Sequence, residues 1–186
     1  MIQKLEAHSD VNEQVLIAIM YEPLGGFSYV PFLAFLAATK AIVNLKNGDD
    51  ECFKREITRA LNLVEKNFGR INRKLRETSK TINWERLKFP VNLNYINKFK
   101  NHNSSISVNV FAYENLVYPL RISKHNYKRE SIVNLLLISD DTKQHYCWIN
   151  DIGKLLSLQT SKHGHVGNMC FGCLNTFNSE KSSILS

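Results

Sequence analysis

The stretch Ser131–Leu156 constrains the fold more than any other part of the chain. Two apolar runs, Ile132–Ile138 and His145–Ile149, flank the polar turn Ser139–Lys143. Two such runs joined by a short polar turn predict a β-hairpin in the core of a domain. His145 opens the second strand, where a side chain is well held and still reachable. That position suits a general base, so the next question is which residue meets it.

The length and composition predict one folded domain with an appendage. A chain of 186 residues is long enough for one sizeable core. With 44% hydrophobic and 22% charged residues, most of it should be globular. From residue 157 onward Ser, Thr, Gly, Lys and His dominate. We therefore predict an α+β domain over 1–158, a linker over 159–168 and a small tail over 169–186.

The net charge and the absence of targeting signals limit which partners we expect for the chain. A net charge of +7 is compatible with DNA or another acidic partner, and equally with a basic domain that binds no nucleic acid. The first residues show no secretory pattern, and no apolar run approaches the roughly 18 residues of a membrane span. We therefore expect no membrane partner and an intracellular location, in the nucleus or the cytoplasm, with thiols free or metal-bound.

The order of predicted elements indicates the fold class. Two strands come first, then two helices, a third short helix, a run of consecutive strands and a last helix. Because helices and strands are segregated along the chain, we predict an α+β fold with a mainly antiparallel sheet. The predicted strands are Val15–Tyr21, Ala41–Leu45, Ile106–Phe111, Val117–Ile122 and the two strands of the hairpin.

Two adjoining segments have helical spacing. The first helix follows Asp49 or Asp50 as N-cap, with an inward face of Phe53, Ile57, Leu61 and Val64 and with Lys54, Arg55, Arg59 and Glu65 mostly off it. The second runs from about Phe68 to Ser79, with Ile71 and Leu75 inward. Its outward residues are Arg70, Arg73, Lys74 and Arg76. That basic face suits contact with phosphates, although a solvated helix face is the commoner explanation.

Cys52 is the one credible partner for His145. It lies in the first turn of the first helix, where unpaired N–H groups and the helix dipole favour a thiolate. A cysteine nucleophile also needs a base within hydrogen-bond reach, which His145 would supply. A helix-borne Cys followed by strands and a strand-borne His resembles papain-like thiol hydrolases, and the ovarian-tumour-type deubiquitinases in particular. The resemblance implies a cysteine peptidase acting on a ubiquitin-like or viral-type polypeptide.

Two features oppose catalysis by this pair. Asp49, Asp50 and Glu51 adjoin the thiol and disfavour its ionisation. In that hydrolase type an Asn or Asp commonly follows the His by two residues, where this chain has Cys147. Asn150 is our choice for the orienting residue, with Asp151 and Asp140 as alternatives. The competing interpretation is that Cys52 is a small buried residue and His145 a structural one.

The tail contains half of a zinc-finger pattern. Cys170 and Cys173 form a Cys-x-x-Cys pair, and Phe177 follows at the spacing of a C2H2 finger. Ser183 and Ser186 occupy the positions of the expected Leu and first His. Two cysteines do not complete the four ligands of structural zinc, so His163 and His165 would have to contribute. A truncated finger without metal and a redox-active pair are the alternatives.

A series of short segments resembles one family of proteins. These segments are Gly26–Pro31, Ala41–Asn47, Asp49–Lys54, Thr58–Asn62, Lys88–Val91, Ile106–Val110, Tyr118–Leu120, His145–Cys147 and the closing Cys-x-x-Cys-Leu-Asn-x-Phe. Together they resemble uncharacterised invertebrate proteins linked to Maverick/Polinton-like mobile elements. In longer members this region precedes a protein-primed family B DNA polymerase. The resemblance implies an accessory domain of a replication protein, and it places the chain in a context of DNA replication.

The chain departs from that family's pattern in ways that bear on activity. The polymerase motifs are absent, Arg55 stands where the family has an aromatic residue, and the finger lacks its Leu and His. The site residues that follow from the sequence are therefore Cys52, His145 and Asn150 for catalysis, Cys170 and Cys173 for zinc, and the four outward cations of the second helix for DNA. A module that binds nucleic acid without catalysis, or a decayed relic, is the alternative function.

Overall fold

A five-stranded sheet with helices on both faces forms the body of the protein. The computed structural model describes residues 29–31, 34–62, 73–123, 131–139, 143–160, 168–169 and 176–177. Five strands form the main sheet: β1 (Ile42–Val43), β2 (Ile106–Tyr113), β3 (Val117–Arg121), β4 (Ser131–Ser139) and β5 (Gln144–Ile149). A separate ribbon pairs β6 (Asn168–Met169) with β7 (Thr176–Phe177).

Five α-helices accompany these strands. They are α1 (Ala34–Thr39), α2 (Cys52–Leu61), α3 (Arg73–Lys80), α4 (Ile96–His102) and α5 (Ile152–Thr160), with a 3₁₀ turn at Leu93–Tyr95 before α4. The first predicted helix corresponds to α2 and the second to α3, whose predicted first turns fall outside the described residues. The predicted strand Val15–Tyr21 also lies outside them.

The sheet has the strand order β1-β5-β4-β2-β3, and it is mixed. The predicted hairpin is confirmed, because β4 and β5 pair antiparallel with Leu137 opposite Tyr146. β2 and β3 also form the predicted antiparallel hairpin. The pairing of β2 with β4 is parallel, with Ile106 opposite Ser131 and Ala112 opposite Leu137. The α+β class is thus confirmed, and among the described strands of the main sheet the pairing of β2 with β4 is parallel while the other three pairings are antiparallel.

Side chains alternate between the two faces of the sheet, so a separate hydrophobic core lies on each face. On one face α2 and α4 pack against a core that includes Val110, Leu135, Tyr146 and Trp148. On the other face α1 and α5 pack against a core that includes Phe111, Leu136, Cys147 and Ile149. Because both faces are covered, β2 is buried almost throughout, whereas its alternating sequence predicts a half-buried strand. Ser107 and Asn109 supply the alternation and are themselves buried.

Two details of α2 differ from prediction. Its N-cap residue is Glu51, which makes no capping side-chain bond, and Asp49 instead accepts the Glu51 N–H at 3.2 Å. Phe53 and Ile57 are buried as predicted, but so is Arg59, which the helical spacing had placed mostly off the inward face. Burial lowers the pKa of the Arg59 guanidinium, and the neighbouring Glu56 opposes that shift.

Glu56 joins α2 to the edge of the sheet formed by β1 and β5. β1 pairs with β5 through Ile42 and Val43. The buried Glu56 carboxyl group accepts the Leu45 N–H, just after β1, at 2.9 Å and the Trp148 N–H of β5 at 3.3 Å. Burial raises the pKa of Glu56 to about 8, while these two N–H groups and Arg59 act in the opposite direction. One side chain thus satisfies a backbone donor of the segment after β1 and a backbone donor of β5.

The Glu56→Gln variant tests this junction. A Gln amide places an N–H group against one of the two backbone donors, so we expect a loss of about 1 to 3 kcal/mol in the free energy of unfolding. Because the pKa of Glu56 is raised from 4.5 to about 8, the folded state binds the extra proton, and stability contributed by Glu56 falls as the pH rises through that range. The measurement is urea unfolding of variant and wild type across this range.

The difference in free energy of unfolding between wild type and Glu56→Gln at each pH reports on Glu56 alone, because all other titrating groups are common to both. This difference should become smaller towards high pH. The control is Glu51→Gln on the same helix, whose side chain is partly exposed and accepts no backbone bond in the sheet. A difference in free energy of unfolding that does not change with pH would contradict the raised pKa of Glu56.

Candidate functional site

Cys52 lies at the start of α2, but its thiol faces the core. The residue is 1% exposed and belongs to the same apolar core as Phe53, Ile57 and Tyr146. Burial raises the pKa of the thiol to about 12, and the negative charge of Glu56 adds to the shift, while the backbone N–H of Tyr146 opposes it. Burial therefore outweighs the effect of the helix N-terminus that the sequence suggested.

His145 lies on the other face of the sheet. Its cross-strand partner Ile138 and its neighbour Cys147 both belong to the core under α1 and α5. Since side chains alternate along a strand, His145 shares their face, and Tyr146 points towards Cys52 in its place. The sheet therefore separates the Cys52 thiol from the His145 imidazole. In this structure the two predicted catalytic side chains do not meet.

The surroundings of His145 are apolar. Its ring is fully buried, and the Tyr29 ring contacts it edge-on with centroids 6.0 Å apart. Within the described part of the chain, neither ring nitrogen has a hydrogen-bond partner. Burial lowers the pKa of His145 to about 4, so the imidazole is neutral at neutral pH.

Asn150 is placed where it cannot orient His145. It follows β5, five residues beyond the histidine, and an extended strand covers about 16 Å in five residues. Its side chain is exposed, and its N–H donates to the Ala41 carbonyl at 3.0 Å. Of the alternatives, Asp151 is exposed and accepts the Lys154 N–H at 2.8 Å near the start of α5, and Asp140 lies outside the described residues.

The described cations of the basic helix face solvent as predicted. Arg73, Lys74 and Arg76 are all exposed on α3, and Lys80 extends the row by one turn. Leu75 is 3% exposed and fixes the opposite side of the helix. Arg73 Nε donates to Glu77 at 2.8 Å. Arg70, the fourth predicted cation, lies outside the described residues.

A groove separates α3 from α2 and adjoins this basic face. Its volume is about 260 Å³. Among the described residues that line it, four carry a positive charge and one carries a negative charge. These described residues are Glu51, Lys54, Arg55, Thr58, Leu75, Arg76, Ser79 and Lys80.

The α2 side of the groove is held by ion pairs. Lys54 Nζ lies 3.0 Å from Glu51 Oε1, and Arg55 bonds to the carboxylate of Asp49 through both Nε and an NH₂ group. The Arg55 guanidinium holds the pKa of Asp49 at about 2, well below its usual range. Lys54 Nζ also lies 5.7 Å from the centre of the Phe89 ring. These contacts fix cationic groups along one wall of the groove.

The sequence reasoning had not joined these residues into one site. It assigned Lys54 and Arg55 to the outward side of α2 and passed over Ser79 and Lys80. The available signal was spacing, because Glu51, Lys54, Arg55 and Thr58 recur at three and four residues, as do Arg76 and Lys80. What the sequence could not supply is the packing of α2 beside α3.

The tail and the metal prediction fall largely outside the described residues. Cys170 and Cys173 are among the residues not described, and β6 and β7 pair on either side of them. Across the described ranges, no group of three or more His, Cys, Asp or Glu side chains could hold a metal ion. Zinc at the two cysteines stays a prediction.

Comparisons with known proteins return no relative. No family model matches the chain, and neither the curated proteins nor the solved structures contain a significant match. Among the described helices, none has the length and apolar character needed to cross a membrane.

The reactivity of Cys52 tests its placement in the core. Because burial raises the pKa of the thiol to about 12, we expect iodoacetamide at neutral pH to alkylate Cys52 at least about 100-fold more slowly than a free cysteine. Mass spectrometry of proteolytic peptides would follow Cys52 separately from the other cysteines. The same protein unfolded in guanidinium is the control, in which Cys52 should react at the ordinary rate. Rapid alkylation in the native state would contradict a buried thiol.

Proposed function

We propose that this chain is a nucleic-acid-binding accessory domain that contacts backbone phosphates through α3 and the neighbouring edge of α2. The observation that carries the proposal is the row of exposed cations Arg73, Lys74, Arg76 and Lys80 on one short helix. Within the described residues one ion pair, Arg73 with Glu77, neutralises part of this row. Lysine and arginine side chains in such a row bind phosphates and release counterions.

The packing of α3 against α2 supports the proposal further. Leu75 is buried on the side of the helix away from solvent, and α3 packs against α2, which is itself fixed in the core by Phe53 and Ile57. The cations are therefore presented on a supported helix. Contacts to phosphate position a protein on nucleic acid without reading its sequence, so we expect binding with little sequence preference.

Hydrolysis by Cys52 and His145 is not part of this proposal. A nucleophile and its base must lie within hydrogen-bond reach, and these two side chains belong to opposite faces of the sheet. The mobile-element origin, the replication context and DNA as the nucleic acid come from the sequence resemblance alone. The papain-like layout and the zinc-finger tail likewise stay predictions from the sequence.

Salt-dependent DNA binding tests the proposed function. Fluorescence anisotropy with an oligonucleotide of arbitrary sequence should show an association constant that falls steeply between about 50 and about 200 mM salt. Changing Arg73, Lys74, Arg76 and Lys80 together to Gln should weaken binding and reduce the salt slope for duplex DNA, since each phosphate contact that is lost removes about 0.9.

A control variant removes two charges from the other side of the protein. Lys40 and Lys154 are exposed beside α1 and on α5, both over the opposite face of the sheet. The Lys40→Asn, Lys154→Gln variant should retain the wild-type salt slope. Absence of DNA binding by the wild type, or equal effects of the two variants, would reject α3 as the binding surface.

A further inference from the structure

The groove between α2 and α3 contains two cations, Arg76 and Lys80, that pair with no carboxylate of the described residues. Lys54 is paired with Glu51 and Arg55 with Asp49, so the α2 wall is largely neutralised. Arg76 and Lys80 enter the groove from α3, and no described carboxylate lies within ion-pair distance of either. The groove is therefore electropositive on its α3 side.

The spacing of Arg76 and Lys80 makes them a natural pair of ligands for an anion. Residues four apart on a helix lie about 5 to 6 Å from each other at their Cβ atoms, and like charges at this spacing destabilise a helix. An anion between them would replace that repulsion with two charge-assisted hydrogen bonds. Ser79, which also lines the groove, adds a hydroxyl donor.

The size of the groove limits what can enter it. At about 260 Å³ it lies just below the range of about 300 to 1,000 Å³ that is usual for small-molecule pockets. A phosphate group with part of its sugar fits such a space, whereas a duplex does not. The groove therefore suits one phosphate that projects from a strand lying along α3.

We propose that this groove is a phosphate-binding site that holds one backbone phosphate of the bound nucleic acid, with Arg76 and Lys80 as its main ligands. The inference rests on the proposed function, because it names the place where the strand is anchored. Arg73 and Lys74, which do not line the groove, contribute general electrostatic attraction outside it.

Glu51 acts against the phosphate. Its carboxylate lines the groove and pairs with Lys54 at 3.0 Å and with Arg55 at 3.9 Å. It repels an entering anion, and it occupies Lys54, which could otherwise contact the phosphate. Glu51 makes no side-chain cap of α2, so its removal should leave the helix intact.

Two double variants on the same helix separate a phosphate site from a general basic surface. Arg76→Gln with Lys80→Gln removes both proposed ligands, and Arg73→Gln with Lys74→Gln removes the same charge outside the groove. At one salt concentration we expect the first variant to lower DNA affinity about tenfold or more and the second by about two- to threefold, because direct charged hydrogen bonds exceed screened attraction. Thermal melting of each variant confirms that it is folded.

Glu51→Gln provides a test in which DNA affinity is expected to rise and not to fall. Loss of the competing carboxylate should raise DNA affinity by about threefold, an increase that damage to the fold cannot produce. Inorganic phosphate should displace DNA from the wild type more effectively than chloride at equal ionic strength. That excess should vanish in the Arg76, Lys80 variant and persist in the Arg73, Lys74 variant.

The outcomes distinguish this inference from the proposed function. If the wild type binds DNA, equal losses in the two double variants and no advantage of phosphate over chloride would overturn the groove as a site. If the wild type does not bind DNA at all, the proposed function fails, and direct titration with inorganic phosphate by calorimetry still tests the groove. Phosphate binding that requires Arg76 and Lys80 would then support an anion site with another ligand.

Discussion

Hydrogen bonds from two backbone N–H groups to the Glu56 carboxyl group tie helix α2 to the edge of the main sheet. β1 contributes two residues to the sheet, and the Leu45 N–H just after it and the Trp148 N–H of β5 both bond to Glu56. A buried donor without an acceptor costs about 1 to 3 kcal/mol, so the short edge strand depends on a helix to complete it. The same bonds fix the rotation of α2, because Cys52 and Glu56 are one turn apart and both face the sheet.

That rotation determines which residues of α2 are available to a ligand. Cys52, Phe53, Glu56 and Ile57 are buried towards the sheet, where the thiol is desolvated. Lys54 and Arg55 face the other way and meet α3 across a groove. The helix start that would activate a cysteine at an open cleft therefore carries a structural one here. The charged side of the helix, and not its first residue, is the part of α2 suited to binding.

Regular elements were predictable from the sequence wherever local spacing decides the structure. The β4–β5 hairpin, the β2–β3 hairpin and the inward residues Phe53 and Ile57 follow from periods of two and of about four residues. The parallel pairing of β2 with β4 was not predictable, because no local pattern records which strands lie side by side. Burial of Arg59 and the acceptor role of Glu56 likewise depend on contacts between distant segments. The exposed cations of α3 were predicted from the sequence as binding residues. The groove was not predicted, because it forms only when α2 and α3 pack together.

Mapping an oligonucleotide onto the protein by NMR is the most direct test of the proposed phosphate site. The full chain of 21.4 kDa is small enough for backbone amide spectra during titration with a short oligonucleotide. We expect saturable shifts concentrated at Thr58, Arg76, Ser79 and Lys80, with His145 and its neighbours on the other face unchanged. Shifts centred on His145, or spread evenly over all exposed lysines and arginines, would contradict a phosphate site between α2 and α3.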